Sequence, residues 1–414
     1  MRYVIVGNGP AGISAIEGIR EYDSQGEIIL IASEGKLPYN RILVPEYMVG
    51  EAEECELYIR EEKFYQENAV EVIAGERAVA INVGEQSLTL ENKAGGKREC
   101  KYDRLLLAMG SQNIMPSWVD CNIQGVYSLW NKADSLNIAE YLKHPGIKRA
   151  VIIGAGLVGL QAARALKVYG LEVTLLEKSS RLMPVQLDAT ASALLCQAAG
   201  NLGITVCLET EVIALKETEQ KIKAVETREA TIAADLVLIA VGVKPNIEWV
   251  NPLIARKQGI LVNEDLQTNI PGIYAAGDIA QAYDALSGGP AVRAIWLNAV
   301  RQGKIAGRNM AGAREKYSGI ASMNSIELFG VSLAALGQTV IRPEEQEGVY
   351  REQILSYPSS GSYHKLVFTG QNLVGLLFVG DIRQAGVLYH KLGGPLTEGY
   401  LGKYSSLPGE ELLS

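Results

Sequence analysis

Two sets of glycines in this chain are spaced to hold a pyrophosphate. Gly7-Asn8-Gly9-Pro10-Ala11-Gly12 follows the apolar run Tyr3-Val4-Ile5-Val6, and Gly154-Ala155-Gly156-Leu157-Val158-Gly159 follows Ala150-Val151-Ile152-Ile153. Each GxGxxG spacing therefore lies between a strand-like run and a helix-like one, the context that gives it meaning. The glycines permit a tight turn, bring backbone close to phosphate and pack the helix on the strand. Amide groups at the helix start then face the anionic charge. One such site takes one dinucleotide. Two in one chain point to electrons passing from one dinucleotide to another.

The elements that must position these glycines follow a strand–helix–strand order. The first unit predicts a strand over Met1–Gly7, a helix over Pro10–Tyr22 and a strand over Glu27–Ile31. The second repeats it with Ala150–Ile153, Leu157–Tyr169 and Glu172–Leu176. Such alternation is the signature of parallel α/β sheets. Two buried runs, Asp103–Ala108 ending at Met109-Gly110 and Asp235–Ala240 ending at Val241-Gly242, read as crossings between two nucleotide domains. The last hundred residues change character: Ser325–Gly330, His364–Thr369 and Leu373–Val379 read as strands and Ile382–Leu392 as a helix.

A length of 414 residues exceeds what one core usually holds. The formal charge of −8 disfavours nucleic acid as a whole-surface partner. No apolar run is long enough to span a bilayer, and the first strand begins too early for a leader, so a cytoplasmic location is expected. The five cysteines, Cys55, Cys100, Cys121, Cys196 and Cys207, and the three histidines show no metal-ligand spacing, so no bound metal is expected and the thiols read as reduced.

With these motifs the chain resembles the pyridine nucleotide–disulfide reductase superfamily, and within it the branch of NADH:rubredoxin reductases and the flavin portion of assimilatory nitrite reductases. The run Thr268–Asp278, with Tyr274-Ala275-Ala276-Gly277-Asp278 at its end, matches the family's second FAD motif. Arg181-Leu182-Met183 with Gln186-Leu187-Asp188, Ile295–Lys304 and Met323–Glu327 resemble stretches of this branch. The resemblance implies two Rossmann-like domains, the NAD domain inserted in the FAD domain, plus a small C-terminal α+β domain. The expected boundaries are 1–110 with 236–312 for FAD, 111–235 for NAD(H) and 313–414 for the C-terminal domain.

The implied FAD contacts are Gly7, Gly9, Pro10, Ala11, Gly12, Ala108, Gly110, Gly277, Asp278 and Trp296, with Glu34 and an assisting Ser33 as ribose ligands. The implied NAD(H) contacts are Gly154, Gly156, Leu157, Val158, Gly159, Glu177 and Gly242. Glu177 ends the second strand of its unit, where a carboxylate accepts from a ribose 2′-OH and repels a 2′-phosphate. That favours NADH, although Lys178 and Arg181 follow and leave NADPH open.

The chemistry implied is hydride transfer from nicotinamide to flavin and then electron loss to an acceptor. The helix starting near Leu297 would direct its positive end at the flavin. Arg41 falls where relatives carry a cation beside the flavin, and Gln161 replaces the glutamate with which many relatives pair it; these are the candidate catalytic positions. Disulfide reductases and peroxidases of the superfamily use a thiolate, but Pro38–Pro45 holds no sulfur and Cys55 lies among carboxylates that disfavour another negative charge.

The expected acceptor is thus external: a small iron–sulfur carrier, rubredoxin or a ferredoxin-like protein or subunit. A cysteine-independent NADH oxidase and an NADH-sensing flavoprotein are the alternatives, and a homodimer is the candidate assembly. Arg293, Arg301, Lys304, Arg308, Arg314 and Lys316, with only Glu315 among them, form a candidate basic patch for an acidic carrier.

Overall fold

The computed structural model describes residues 1–120, 122–285, 288–341, 349–357, 361–396 and 411–412. Cys121 lies outside them. The chain divides into two compact units: 1–40, 54–112 and 243–320 form the first, and 41–53, 113–242 and 321–414 the second.

The first unit is built on a parallel five-stranded sheet in the order Ile273–Ala275, Arg104–Leu107, Arg2–Val6, Glu27–Ala32, Val70–Ala74. Val4 pairs with Ile29 on one side and Leu105 on the other. Four consecutive residues of Arg2–Val6 are buried, the continuous apolar pattern of a strand covered on both faces. One face carries the helices Pro10–Arg20 and Trp296–Met310, with Ile13, Ile16 and Ile305 in its core. These helices approach so closely that a Cβ on Gly303 would lie 2.1 Å from the Ala11 carbonyl oxygen. On the other face lies a core containing Val6, Leu88, Leu90 and Ile254, to which the antiparallel sheet Glu76–Asn82, Ser87–Asn92, Lys97–Lys101 contributes.

The second unit repeats the plan with the parallel order Ile204–Cys207, Glu172–Leu176, Arg149–Ile153, Leu236–Ile239, Val126–Ser128. An antiparallel sheet, Val212–Thr218, Lys221–Thr227 and Thr231–Ala233, adds to its core through Ile222 and Val225. The C-terminal segment forms an antiparallel six-stranded sheet of Met323–Leu328, Val331–Gly337, Asn372–Val379, Ser362–Thr369, Tyr350–Tyr357 and Glu411–Leu412. A buried ion pair ties it to the nucleotide-type fold: Lys365 Nζ, 2% exposed, lies 2.8 Å from Asp188 and 3.0 Å from Glu352. Asp188 also caps the Ala189–Asn201 helix and accepts from Tyr363 at 2.7 Å. Burial pushes the Asp188 carboxyl up, but bonds from the Ala191 amide, Lys365 and Tyr363 outweigh it and hold it below its ordinary range.

Four differences from the expected layout stand out. Leu236–Ile239 pairs with Arg149–Ile153 and Val126–Ser128, so it belongs to the second sheet and not to a domain starting at residue 236. Residues 41–53 cluster with the second unit although they follow a strand of the first. The C-terminal sheet, expected as a domain of its own, also clusters with the second unit. The C-terminal helix is shorter than the sequence pattern, Ala385–Tyr389. Among the described residues no helix is long and apolar enough to cross a membrane.

Candidate functional site

The two glycine loops are built alike. Gly7 has φ +116°, and a Cβ there would lie 2.2 Å from the Ala108 carbonyl oxygen; a Cβ on Gly12 would lie 2.0 Å from the Gly7 oxygen. Gly154 has φ +104°, with Ala240 O at 2.4 Å, and Gly159 meets Gly154 O at 2.0 Å. These glycines are dictated by the protein's own backbone. The middle ones are not: a Cβ on Gly9 or Gly156 would meet nothing within 4 Å. Their lack of a side chain leaves open space over backbone, which is what a pyrophosphate needs to approach. Gly9 and Gly156 are also the N-cap residues of Pro10–Arg20 and Leu157–Val168, and no side chain caps either helix. Both helix starts therefore present amide groups and positive dipole ends at this open space.

Each loop sits at a topological switch point. The end of Arg104–Leu107 brings Ala108 and Met109 beside Gly7, with Gly110 next in sequence, and the end of Leu236–Ile239 brings Ala240 and Val241 beside Gly154, with Gly242 next. Open α/β sheets bind ligands in that crevice. In the first unit two further groups converge there. Asp278 accepts from the Ser111 hydroxyl at 2.7 Å. Gln302, 2% exposed, accepts from the Gly277 amide at 2.8 Å. Gly277 itself lies against Ala11 and Ala299, so the Gly277-Asp278 turn is wedged between the starts of the two packed helices. Trp296 is the first residue of its helix and half-buried.

Ser111 and Gln302 had no assigned role in the sequence reading. Ser111 directly follows Gly110, and that adjacency was the available signal. Gln302 sits inside a run that resembled the family, but nothing local shows that its amide reaches Gly277.

The two acids differ. Glu177 is held in place, accepting from the Ala155 amide and the Ser179 amide, both at 2.8 Å. Its carboxylate thus lies against the second glycine loop. Glu34 is exposed and accepts from the Tyr39 hydroxyl. Ser33 is exposed too and lines a cavity of about 350 Å³ with Gly75, Arg77, Asn92 and Lys93. Asn8 in the first loop is fixed by Tyr65 at 2.7 Å and by the Lys36 carbonyl at 2.8 Å.

Arg41 and Gln161 both belong to the second unit. Arg41 donates to the Trp130 carbonyl at 3.1 Å and lies 5.5 Å over the Trp130 ring. Gln161 is buried, 7% exposed, on the Leu157–Val168 helix.

The sequence profile of the pyridine nucleotide-disulphide oxidoreductase family matches residues 1–303. The chain belongs to this family. It is an FAD-dependent NAD(P)H oxidoreductase, and the paired glycine cradles fit that cofactor requirement. An NADH oxidase of Methanocaldococcus jannaschii is 30% identical over 83% of this chain and 78% of its own length. An assimilatory nitrate reductase electron transfer subunit of Bacillus subtilis is 30% identical over 92% of this chain, which spans only 48% of that protein. An NADH-rubredoxin oxidoreductase of Clostridium acetobutylicum is 30% identical over 81% of both chains. A solved NADH:rubredoxin oxidoreductase from that organism superimposes with a TM-score of 0.74 at 26% identity, over 96% of each chain.

Burial pushes the Cys100, Cys196 and Cys207 thiols up, away from the thiolate that thiol chemistry needs. Cys55 is exposed on the short Glu54–Leu57 helix. Among the described residues no group of three or more His, Cys, Asp or Glu side chains is arranged to hold a metal ion.

The basic patch is corrected by its ion pairs. Arg293 meets the buried Asp284 at 2.6 Å, Lys304 and Arg308 share Glu21, Arg308 also meets Glu315, and Lys316 reaches Glu264 and Asp265. Acids, most of them from distant parts of the sequence, thus pair with four of the six cations that read as one positive cluster, while Arg301 donates to the Ser318 hydroxyl at 3.4 Å.

Proposed function

We propose that this protein passes electrons from NADH, by way of FAD, to a small one-electron iron–sulfur carrier, a rubredoxin or a ferredoxin-like protein or subunit, without a redox-active cysteine. The observation that carries the reading is the pair of matching cradles, each with its middle glycine open, in a chain where desolvation pushes the Cys100, Cys196 and Cys207 thiols up. When bound, FAD accepts a hydride from the nicotinamide and can release electrons singly, which is the chemistry this family supplies.

The chain's own residues have separable tasks in this reading. Gly9 and the uncapped start of Pro10–Arg20 bind the FAD pyrophosphate, with Pro10, Ala11, Ala108 and Gly110 around it. Asp278, oriented by Ser111, holds the ribityl–pyrophosphate stretch, and Gln302 fixes the turn that carries it. Ser33 and Glu34 bind the adenosine end. The start of Trp296–Met310 supplies a positive dipole end that favours negative charge on the ring system. Gly156, Leu157 and Val158 bind the NADH pyrophosphate, and Glu177 selects NADH by its ribose hydroxyl. Arg41 supplies a cation near the reacting rings, and Gln161 gives that region a neutral amide in place of a carboxylate. The setting is cytoplasmic.

The test is to reduce the protein with NADH under anaerobic conditions and follow flavin reoxidation after mixing with rubredoxin, ferredoxin or air-saturated buffer. Rapid reoxidation by an iron–sulfur protein, with oxygen far slower, supports the proposal. The reverse order makes the enzyme an oxidase, the name that its Methanocaldococcus jannaschii relative carries. Because four of the six cations of the basic cluster are paired with acids, the carrier reaction should fall more shallowly with ionic strength than an encounter steered by a bare positive patch.

A further inference from the structure

Residues 41–53 meet the second unit at two charged points, Arg41 against Trp130 and a pair of acids against Arg164. Arg164 lies on the Leu157–Val168 helix, one turn after Gln161. Its guanidinium grips Glu51 with two nitrogens, Nη2 at 2.7 Å and Nη1 at 3.4 Å, and reaches Glu46 Oε1 at 3.1 Å. The three side chains are only 22–32% exposed, so the charges are less screened than on an open surface. Glu51 raises the Arg164 guanidinium above its ordinary range against the opposing effect of burial. Glu46 Oε2 is buried without a hydrogen-bond partner, so Arg164 is the cation that makes this carboxylate tolerable there. Between Arg41 and Glu51, the short helix Val44–Met48, which carries Glu46, buries Val44, Pro45 and Met48.

We propose that Arg164 is a positioning residue that clamps this strap, and Arg41 with it, to the helix that opens at the nicotinamide-nucleotide loop. Arg41 is thereby carried by the nucleotide-binding unit and not by the sheet of the first unit that precedes it in sequence. The clamp aligns the cation with the bound nucleotide; it does not touch the reacting atoms. This rests on the reading above that Arg41 acts on the hydride-transfer region.

The experiment compares the holoenzyme with Arg164→Met, Arg164→Lys and Glu51→Gln by hydrogen–deuterium exchange and by anaerobic single-turnover reduction with NADH. Arg164→Met should speed exchange of amides in 44–51 at least about tenfold and slow flavin reduction by about tenfold or more, the cost of a misplaced group. The NADH dissociation constant should move less than about twofold, because the cradle's amides still hold the pyrophosphate. Arg164→Lys should recover part of both effects, and Glu51→Gln, the milder variant should Arg164→Met fold poorly, should give both in weaker form. Faster exchange with unchanged reduction would overturn the proposal, because the clamp would then be structural only. Unchanged exchange would also overturn it, because apolar contacts would then hold the strap. Arg41→Met separates the two levels: if it leaves reduction unchanged, the reading of Arg41 fails irrespective of the clamp.

Discussion

Ser111 donates its hydroxyl to Asp278 at 2.7 Å, joining the ends of two neighbouring parallel strands 167 positions apart in sequence. One residue follows the Arg104–Leu107 strand and the other follows Ile273–Ala275, and those strands are hydrogen-bonded side by side. The bond fixes a carboxylate at the crevice where the first glycine loop opens. Ser111→Ala should therefore weaken FAD binding by about tenfold, the loss of one hydrogen bond to a charged group. Fluorescence titration of the FAD-free protein gives the comparison. Asp278→Ala should lose more, and Ser111→Thr should retain most of the affinity.

The glycines of one fingerprint should separate by function. Gly7→Ala and Gly12→Ala put a Cβ at 2.2 Å and 2.0 Å from backbone oxygens, and both should destabilise the fold itself. Gly9→Ala meets no protein atom within 4 Å. It should leave the melting temperature of FAD-free protein within about 2 °C of the parent, the shift expected for less than 1 kcal/mol, and still abolish FAD retention. Gly156→Ala should behave in parallel: full FAD content, but NADH binding lost. Thermal melts paired with flavin content and NADH titration check all four.

Glu177 should set nucleotide choice. Its carboxylate touches the Ala155 and Ser179 amides, so it is fixed beside the loop before any ligand arrives. Glu177→Gln removes the charge that repels a 2′-phosphate while keeping an acceptor. The ratio of kcat/KM for NADH over NADPH should fall by about tenfold or more, a change of roughly 1.4 kcal/mol in relative transition-state binding. An unchanged ratio would mean that Glu177 does not read the ribose.

His364 should give the fold an acid-side weakness. It lies in the C-terminal sheet, stacked on Phe378 at 4.1 Å, with Nε2 2.7 Å from the Asp381 carbonyl oxygen, so that nitrogen carries the hydrogen. Burial lowers its pKa below the ordinary 6.5. The unfolded chain therefore binds the proton first as pH falls. The stability that the neutral ring allows is complete above about pH 6.5 and declines toward the lower folded-state value. Denaturant unfolding at pH 7 and pH 5 should show this loss in the parent and a smaller one in His364→Gln.

Much of the fold was legible because glycine spacing and buried strands are local signals. The strands at Arg2–Val6, Glu172–Leu176 and Asn372–Val379 follow from short apolar runs, and the two loops follow from glycines whose backbone demands them. What could not be read depends on partners far away in sequence. Glu46 and Glu51 look like ordinary surface acids until Arg164, more than a hundred residues on, is brought against them. The strap at 41–53 consequently reads as part of the first domain. Likewise the basic run from Arg293 to Lys316 reads as a patch because Glu21, Glu264, Asp265 and Asp284 do not fall in the same window.

The count of reducing equivalents tests the central claim most directly. Anaerobic titration of the FAD-loaded protein with NADH should bleach the flavin completely at one NADH per FAD, with the number of free thiols unchanged before and after. A need for two NADH per FAD, with new thiols appearing, would show a redox-active disulfide between the nucleotides and an acceptor, and the cysteine-free route from NADH to an external carrier would be wrong.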